Sequence, residues 1–185
     1  TDPAIEVARY LMSLGHRRIA FISPYHQYPW SQKRLEGLQA AFSPAEPDGR
    51  IFAYTAECNP RAAQAPAEIV EFFQSRTTGL PQAQTMEYSA LLEQIREEVI
   101  PQIQTREVLH GLLDRALADA AGKEITAWVM VNDRNACLAL EYLASKGMSV
   151  PRDLSMVSFD ESRDALRLNL TSFNFNASGV AAAMM

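Results

Sequence analysis

The side chains best suited to hold a small hydroxylated molecule stand at the ends of apolar runs. Tyr25, His26, Tyr28 and Trp30 follow the run Ile19-Ala20-Phe21-Ile22, with Arg34 a short way beyond. Asn132 and Asp133 follow Ala127-Trp128-Val129-Met130-Val131, and Asp160 and Glu161 follow the run from Ser155 to Phe159. Aromatic faces pack on the C–H face of a polyol, while guanidinium, amide and carboxylate groups satisfy its hydroxyls in pairs. Each residue also has a plainer use. Asn132 and Asp133 are favoured helix caps, Asp160 and Glu161 suit a solvated loop, Arg34 suits a helix surface, and Tyr28 and Trp30 could cover a sheet edge.

Signatures of catalysis are missing from the sequence. It has no GxGxxG, GxxxxGKS/T or GxSxG motif, so dinucleotide, P-loop and nucleophile-elbow chemistry have no foothold. His16, His26 and His110 are dispersed, and none falls into a zinc-binding spacing. His16, beside Arg17 and Arg18 and just ahead of a strand, reads as structural. The expectation is a binding module, not an enzyme, with no metal and no cofactor. An α/β enzyme using Asp133 or Asp160 as acid or base is the reading from a different class.

The elements that position these residues alternate between helical and strand periods. Thr1 or Asp2 caps a helix that opens with Pro3, carries Ile5, Ala8, Leu11 and Met12, and ends at Gly15. Ile19 to Ile22 is a strand, Ser31 to Phe42 a helix broken by Pro44, Pro47 and Gly49, and Ile51 to Tyr54 a second strand leading to the loop Cys58-Asn59-Pro60. Between residues 60 and 124, helices are predicted over Ala67 to Ser75, Tyr88 to Val99 and Arg106 to Ala120. Thr77 to Pro81 and Pro101 act as breakers. A strand over Ala127 to Val131, a helix ending at Gly147, a strand over Ser155 to Phe159 and a last strand over Thr171 to Phe175 follow, with a helix starting at Ala177. This alternation predicts an α/β fold: three layers, with a mainly parallel sheet flanked by helices on both faces. In such sheets ligands sit beyond the carboxyl ends of the strands, where all the candidate residues fall.

Composition sets outer bounds. The 185 residues suit a domain with a real core, at 48% hydrophobic and 21% charged residues. A net charge of −5 is a poor footprint for a phosphate backbone, so these residues are not expected to hold nucleic acid themselves. The two cysteines, Cys58 and Cys137, lack CxxC spacing and read as buried free thiols in a reducing compartment. No apolar run is long enough to span a membrane, and the N-terminus does not read as a signal peptide. The chain opens on Thr1 just ahead of a helix and reads as a fragment.

Four stretches resemble one family. EVARYLMSLGHRRIAFIS, RLEGLQAAF, AWVMVNDRNACLALEYLASKGMSVPRDLSMVSFDES and LTSFNFNASGVA are similar to the C-terminal subdomain of the effector-binding region of LacI/GalR transcription regulators. The likeness covers roughly residues 4 to 54 and 124 to 183, and the third stretch is the specific one. Ser158 stands where the family usually has Gly, and Glu161 where it usually has Asp. The proline that usually precedes the last strand is absent from Leu168-Asn169-Leu170-Thr171.

The resemblance implies one lobe of a periplasmic-binding-protein-like clamshell that closes on a sugar or related metabolite. Residues 1–170 would form the C-terminal lobe, with 60–104 as a divergent or inserted helical segment. Residues 171–185 would be the crossover strand and a truncated helix returning toward the other lobe. By the same resemblance Arg34, Asn132 and Asp160 match ligand-binding positions, and Trp30 lies where such proteins place side chains against the ligand. Tyr28, Asp133 and Glu161 are secondary candidates, with Asp133 as the capping or structural member of its pair. The implied protein is a cytoplasmic homodimer whose separate headpiece reads operator DNA. The alternative within the fold is a periplasmic sugar-binding protein for transport, although GHRR and the VPRDLSMVSFDES run favour the regulator.

Overall fold

Two elements, a capped helix and a strand buried from Ile19 to Ser23, begin the chain and set the frame for the site. The computed structural model describes residues 2–42, 48–57 and 67–175. Helix α1 (Pro3–Ser13) starts on Asp2, whose side chain accepts from Ala4 N–H at 2.8 Å, with Pro3 in the first turn. It ends where Gly15 takes φ +90°, a conformation glycine adopts without steric cost. Strand β1 (Arg18–Ser23) follows, then α2 (Pro29–Phe42), β2 (Arg50–Thr55), α3 (Ala67–Thr77), α4 (Gln82–Gln94), a π-helical turn (Ile95–Val99) and α5 (Ile100–Lys123). The rest is β3 (Ala127–Met130), α6 (Asp133–Ser145), β4 (Ser155–Phe159), α7 (Arg163–Arg167) and β5 (Thr171–Phe173).

The five strands form one sheet in the order β2-β1-β3-β4-β5, and every neighbouring pair is parallel. The α/β reading and the parallel sheet therefore stand. Side chains alternate across the sheet, and both faces are covered, which is why the central strands read as unbroken apolar runs. On one face Ile19, Phe21, Val129, Val157 and Phe159 pack with Ala4, Ala8 and Leu11 of α1 and Leu38 of α2. On the other, Ala20, Ile22, Trp128, Met130 and Met156 pack with Leu113 of α5 and Ala136, Ala139 and Leu143 of α6. Gly37 lets α1 and α2 meet: a Cβ there would lie 2.8 Å from both Ala4 Cβ and Asp2 Oδ1.

The chain divides into two compact units, one of residues 1–57 with 109–185 and one of residues 58–108. The sheet and the layers just described lie in the first. Within the second, Phe73 packs edge-on against Phe72 and Tyr88, with ring centroids 5.6 and 6.3 Å apart.

Several expectations need correction. Pro101 does not separate two helices; it lies in the first turn of α5, immediately after the π-turn. There Ile100 N–H reaches back to Ile95 O, so the ladder has already widened and the missing proline N–H breaks nothing. Helix α2 begins at Pro29, which puts Trp30 in its first turn and not in the preceding loop. Short helix α7, started by the Ser162 cap, is an element outside the expected ones. Cys137 is a free thiol but only half-buried. The expected features at Thr1, Pro44, Pro47, Cys58-Asn59-Pro60 and Ala177 lie outside the described residues.

Candidate functional site

Parallel strands in this order bring the carboxyl ends of β1, β3 and β4 side by side, and the predicted residues meet there. At the end of β1, Ser23 and Ser31 share a buried 2.7 Å hydrogen bond that ties the strand to the first turn of α2. The aromatic loop packs around that tie. Tyr28 and Trp30 stack with ring planes 10° apart and centroids at 6.0 Å, and Tyr25 lies 6.1 Å from Trp30. Trp30 remains 40% exposed, so one aromatic surface faces outward at the strand ends.

Arg34 is the hub. Its side chain is only 15% exposed, and it donates through Nη1 to the carbonyl of Val131 and through Nη2 to Asp160 Oδ1 at 3.2 Å. The guanidinium carbon lies 5.1 Å from the ring centre of Trp30, 4.4 Å from Phe159 and 5.3 Å from Phe175. One cation thus joins α2 to the ends of β3 and β4 and lies over three aromatic rings. Burial lowers the Arg34 pKa, opposed by the charge and hydrogen bond of Asp160 and by Asp133. Burial likewise raises the Asp160 carboxyl, with Asp133 adding and Arg34 opposing. Desolvation outweighs attraction for both partners, as is common for ion pairs drawn out of water.

The Asn132-Asp133 pair resolves into two roles. Asn132 caps α6, with Oδ1 accepting from Asn135 N–H at 2.9 Å. The cap engages the amide oxygen and leaves the amide nitrogen without a hydrogen-bond partner among the described residues. Asp133 is not a cap: it is 1% exposed, and its oxygens accept from Ser158 Oγ, from Ser172 Oγ at 2.6 Å and from Ser162 N–H at 2.6 Å. Arg34, Asp160, Trp30, Tyr28 and Asn132 therefore share one sheet edge, while Asp133 is buried beneath it. The Glu161 side chain is exposed, and its backbone N–H donates to Ser172 Oγ at 2.9 Å.

His26 lies in the loop, its carbonyl accepting from Gln32 Nε2 at 3.0 Å. His16 is held structurally by Thr126, Nδ1 to Oγ1 at 2.8 Å, and burial lowers its pKa. Sequence reasoning missed Phe159 and Phe175 as partners of Arg34, and the carbonyl of Val131 as its acceptor. Phe159 closes the strand read from Ser155 and Phe175 the strand read from Thr171, and neither position signals a contact with an arginine so distant in sequence. Among the described residues, no group of three or more His, Cys, Asp or Glu could hold a metal ion, and no helix is long and apolar enough to cross a membrane.

The profile of the periplasmic binding protein-like domain family matches residues 74–185. This is more than half of the chain, and the chain belongs to that family. Membership in a family of binding domains makes it a binding module and not an enzyme. Among solved structures, the fold is similar to a dimeric lac repressor with a C-terminal deletion, at 18% identity and TM-score 0.58, covering 95% of this chain and 47% of that one. It is similar to a LacI-family transcriptional regulatory protein from Corynebacterium glutamicum at 20% identity and TM-score 0.59, covering 97% and 53%. A third, a periplasmic binding protein/LacI transcriptional regulator from Alkaliphilus metalliredigens complexed with D-xylulofuranose, has 15% identity and TM-score 0.55, covering 97% and 50%. This chain spans about half the length of these structures. No curated protein sequence matches it significantly.

Proposed function

We propose that this chain is the ligand-sensing part of a LacI/GalR-type transcription regulator that binds a sugar or a related small metabolite. The observation that carries the reading is Arg34, held between Val131 and Asp160 at the ends of three parallel strands and lying over the Trp30 ring. Guanidinium, carboxylate, the Asn132 amide and an outward aromatic face are the groups a polyol needs, in one place. The neighbour solved with D-xylulofuranose supports a sugar as the ligand class. Under this reading Trp30, Arg34, Asn132 and Asp160 contact ligand, and Tyr28 extends the aromatic surface.

In this reading the whole protein works in the cytoplasm as a homodimer, with operator DNA held by a headpiece outside these residues. The mechanism is a population shift. Ligand favours the closed clamshell, and the energy delivered to the headpiece is its differential affinity for the two states. The segment 60–104 is read as a divergent or inserted part of the chain.

The test is calorimetric titration of the full-length protein with a panel of aldopentoses, aldohexoses and their ketose isomers. Arg34→Ala and Asp160→Ala should each weaken binding of the best sugar by about 1.5–3 kcal/mol, the scale of a hydrogen bond to a charged group. That is between about tenfold and about a hundredfold in Kd. Unchanged constants would remove Arg34 and Asp160 from the site. A single lobe behind a secretory signal in the full reading frame would instead favour a transport receptor.

A further inference from the structure

The turn that carries Asp160 is built from two consecutive non-glycine residues with positive φ, Asp160 at +107° and Glu161 at +48°. Side chains rarely adopt this backbone, and a pair of such residues persists only where the surroundings over-determine it. Here three successive N–H groups each have a fixed acceptor. Asp160 N–H donates to Phe173 O at 3.0 Å, Glu161 N–H to Ser172 Oγ at 2.9 Å, and Ser162 N–H to Asp133 Oδ2 at 2.6 Å. Ser172 Oγ donates in turn to Asp133 Oδ1 at 2.6 Å, and Ser158 Oγ donates to the same oxygen. Ser158 is fully buried. Asp133 therefore acts on two of the three amides, one directly and one through Ser172.

We propose that Asp133, with Ser158 and Ser172, forms a buried clasp whose role is to hold the Asp160 turn so that its carboxylate meets Arg34. Asp133 is then a positioning residue, a buried carboxylate whose oxygens are taken up by two serine hydroxyls and one backbone amide. The clasp also assigns Ser158 a use: its hydroxyl is the donor that a glycine at this position would lack. Likewise it ties β5 to β4 and to the start of α6 at the edge where the ligand groups converge. The value of the clasp to ligand binding rests on the function proposed above; its effect on Asp160 does not.

The experiment uses this chain without ligand. The carboxyl carbon of Asp160 is titrated by NMR in the native protein, in Ser172→Ala and in Ser172→Thr, with Ser158→Gly as a second, milder break. Ser172→Ala should release Glu161 N–H, swing Asp160 away from Arg34 into water, and move its titration down to the ordinary carboxylate range near ~3.9. Ser172→Thr keeps the hydroxyl and should restore the native curve. Ser158→Gly should shift the curve in the same direction by less. An unchanged Asp160 curve in Ser172→Ala and Ser158→Gly, even with lower stability, overturns the proposal and leaves the clasp merely structural. Calorimetry with the sugar panel separates the two readings: a shifted Asp160 curve in a protein that binds none of those sugars upholds the clasp and defeats the sugar site.

Discussion

Replacing Arg34 by Lys tests whether the hub depends on charge alone or on the guanidinium plane. Arg34 reaches two acceptors with two different nitrogens, Val131 O and Asp160 Oδ1, while Trp30, Phe159 and Phe175 lie within 5.3 Å of its carbon. An ammonium keeps the charge but is a single point with no plane to stack, so one of the two acceptors is left without its donor. Losing one hydrogen bond from a charged donor costs about 1.5–3 kcal/mol. The pair with Asp160, whose side chain is 48% exposed, is screened and adds little. The expected cost is therefore about 1.5–3 kcal/mol, dominated by the Val131 carbonyl. Both tryptophans, Trp30 and Trp128, lie in the unit that holds the sheet, so tryptophan fluorescence in urea follows that unit. The midpoint should fall at constant m. The exposed Arg134→Lys serves as control and should stay within about 0.5 kcal/mol. If Arg34→Lys matches the control, the guanidinium geometry contributes nothing to the fold and the hub description is wrong.

Three further outcomes are expected. Gly37→Ala places a Cβ 2.8 Å from Ala4 Cβ and Asp2 Oδ1, so it should force α1 off α2, weaken the Asp2 cap and cost about 1–3 kcal/mol in the same urea assay; a neutral result would mean α1 is not packed as described. Asp160, raised by burial, binds its proton more tightly folded than unfolded, so its contribution to stability falls as pH rises through the window from ~3.9 up to its raised value. Asp160→Asn should remove that downward slope, and parallel pH curves for the two proteins would contradict the assignment. Asp153, held by Arg152 and Ser149 N–H, sits at about 2, so its contribution is present above the ordinary carboxylate value and lost as pH falls toward 2. NMR titration should find it there, and Arg152→Ala should raise it; an ordinary value in the native protein would rule out the pairing.

Much of the fold was readable because its signals are local. Asp2 and Pro3 mark a helix start, Gly15 and Gly147 mark helix ends at positive φ, and the apolar runs ending in Ser23, Val131 and Phe159 are too short for helices. Strand ends in turn pick out which polar residues could bind. Local signals failed where backbone context competes with residue preference. Pro101 reads as a breaker until the π-turn before it is seen, and the Asn132-Asp133 pair offers two caps, of which only the structure shows that Asn132 takes the place.

Periodicity, capping and turn chemistry act over a few residues, so the elements and the candidates standing at their ends can be read along the chain. Which of them meet depends on how the strands are ordered. Arg34 finds Val131 at a separation of 97 residues and Asp160 at 126, because the strand order puts β3 and β4 beside β1 and no local rule encodes that order. The same order buries Asp133 under the turn it holds, where three donors from distant parts of the chain stand in for the water its carboxylate gave up.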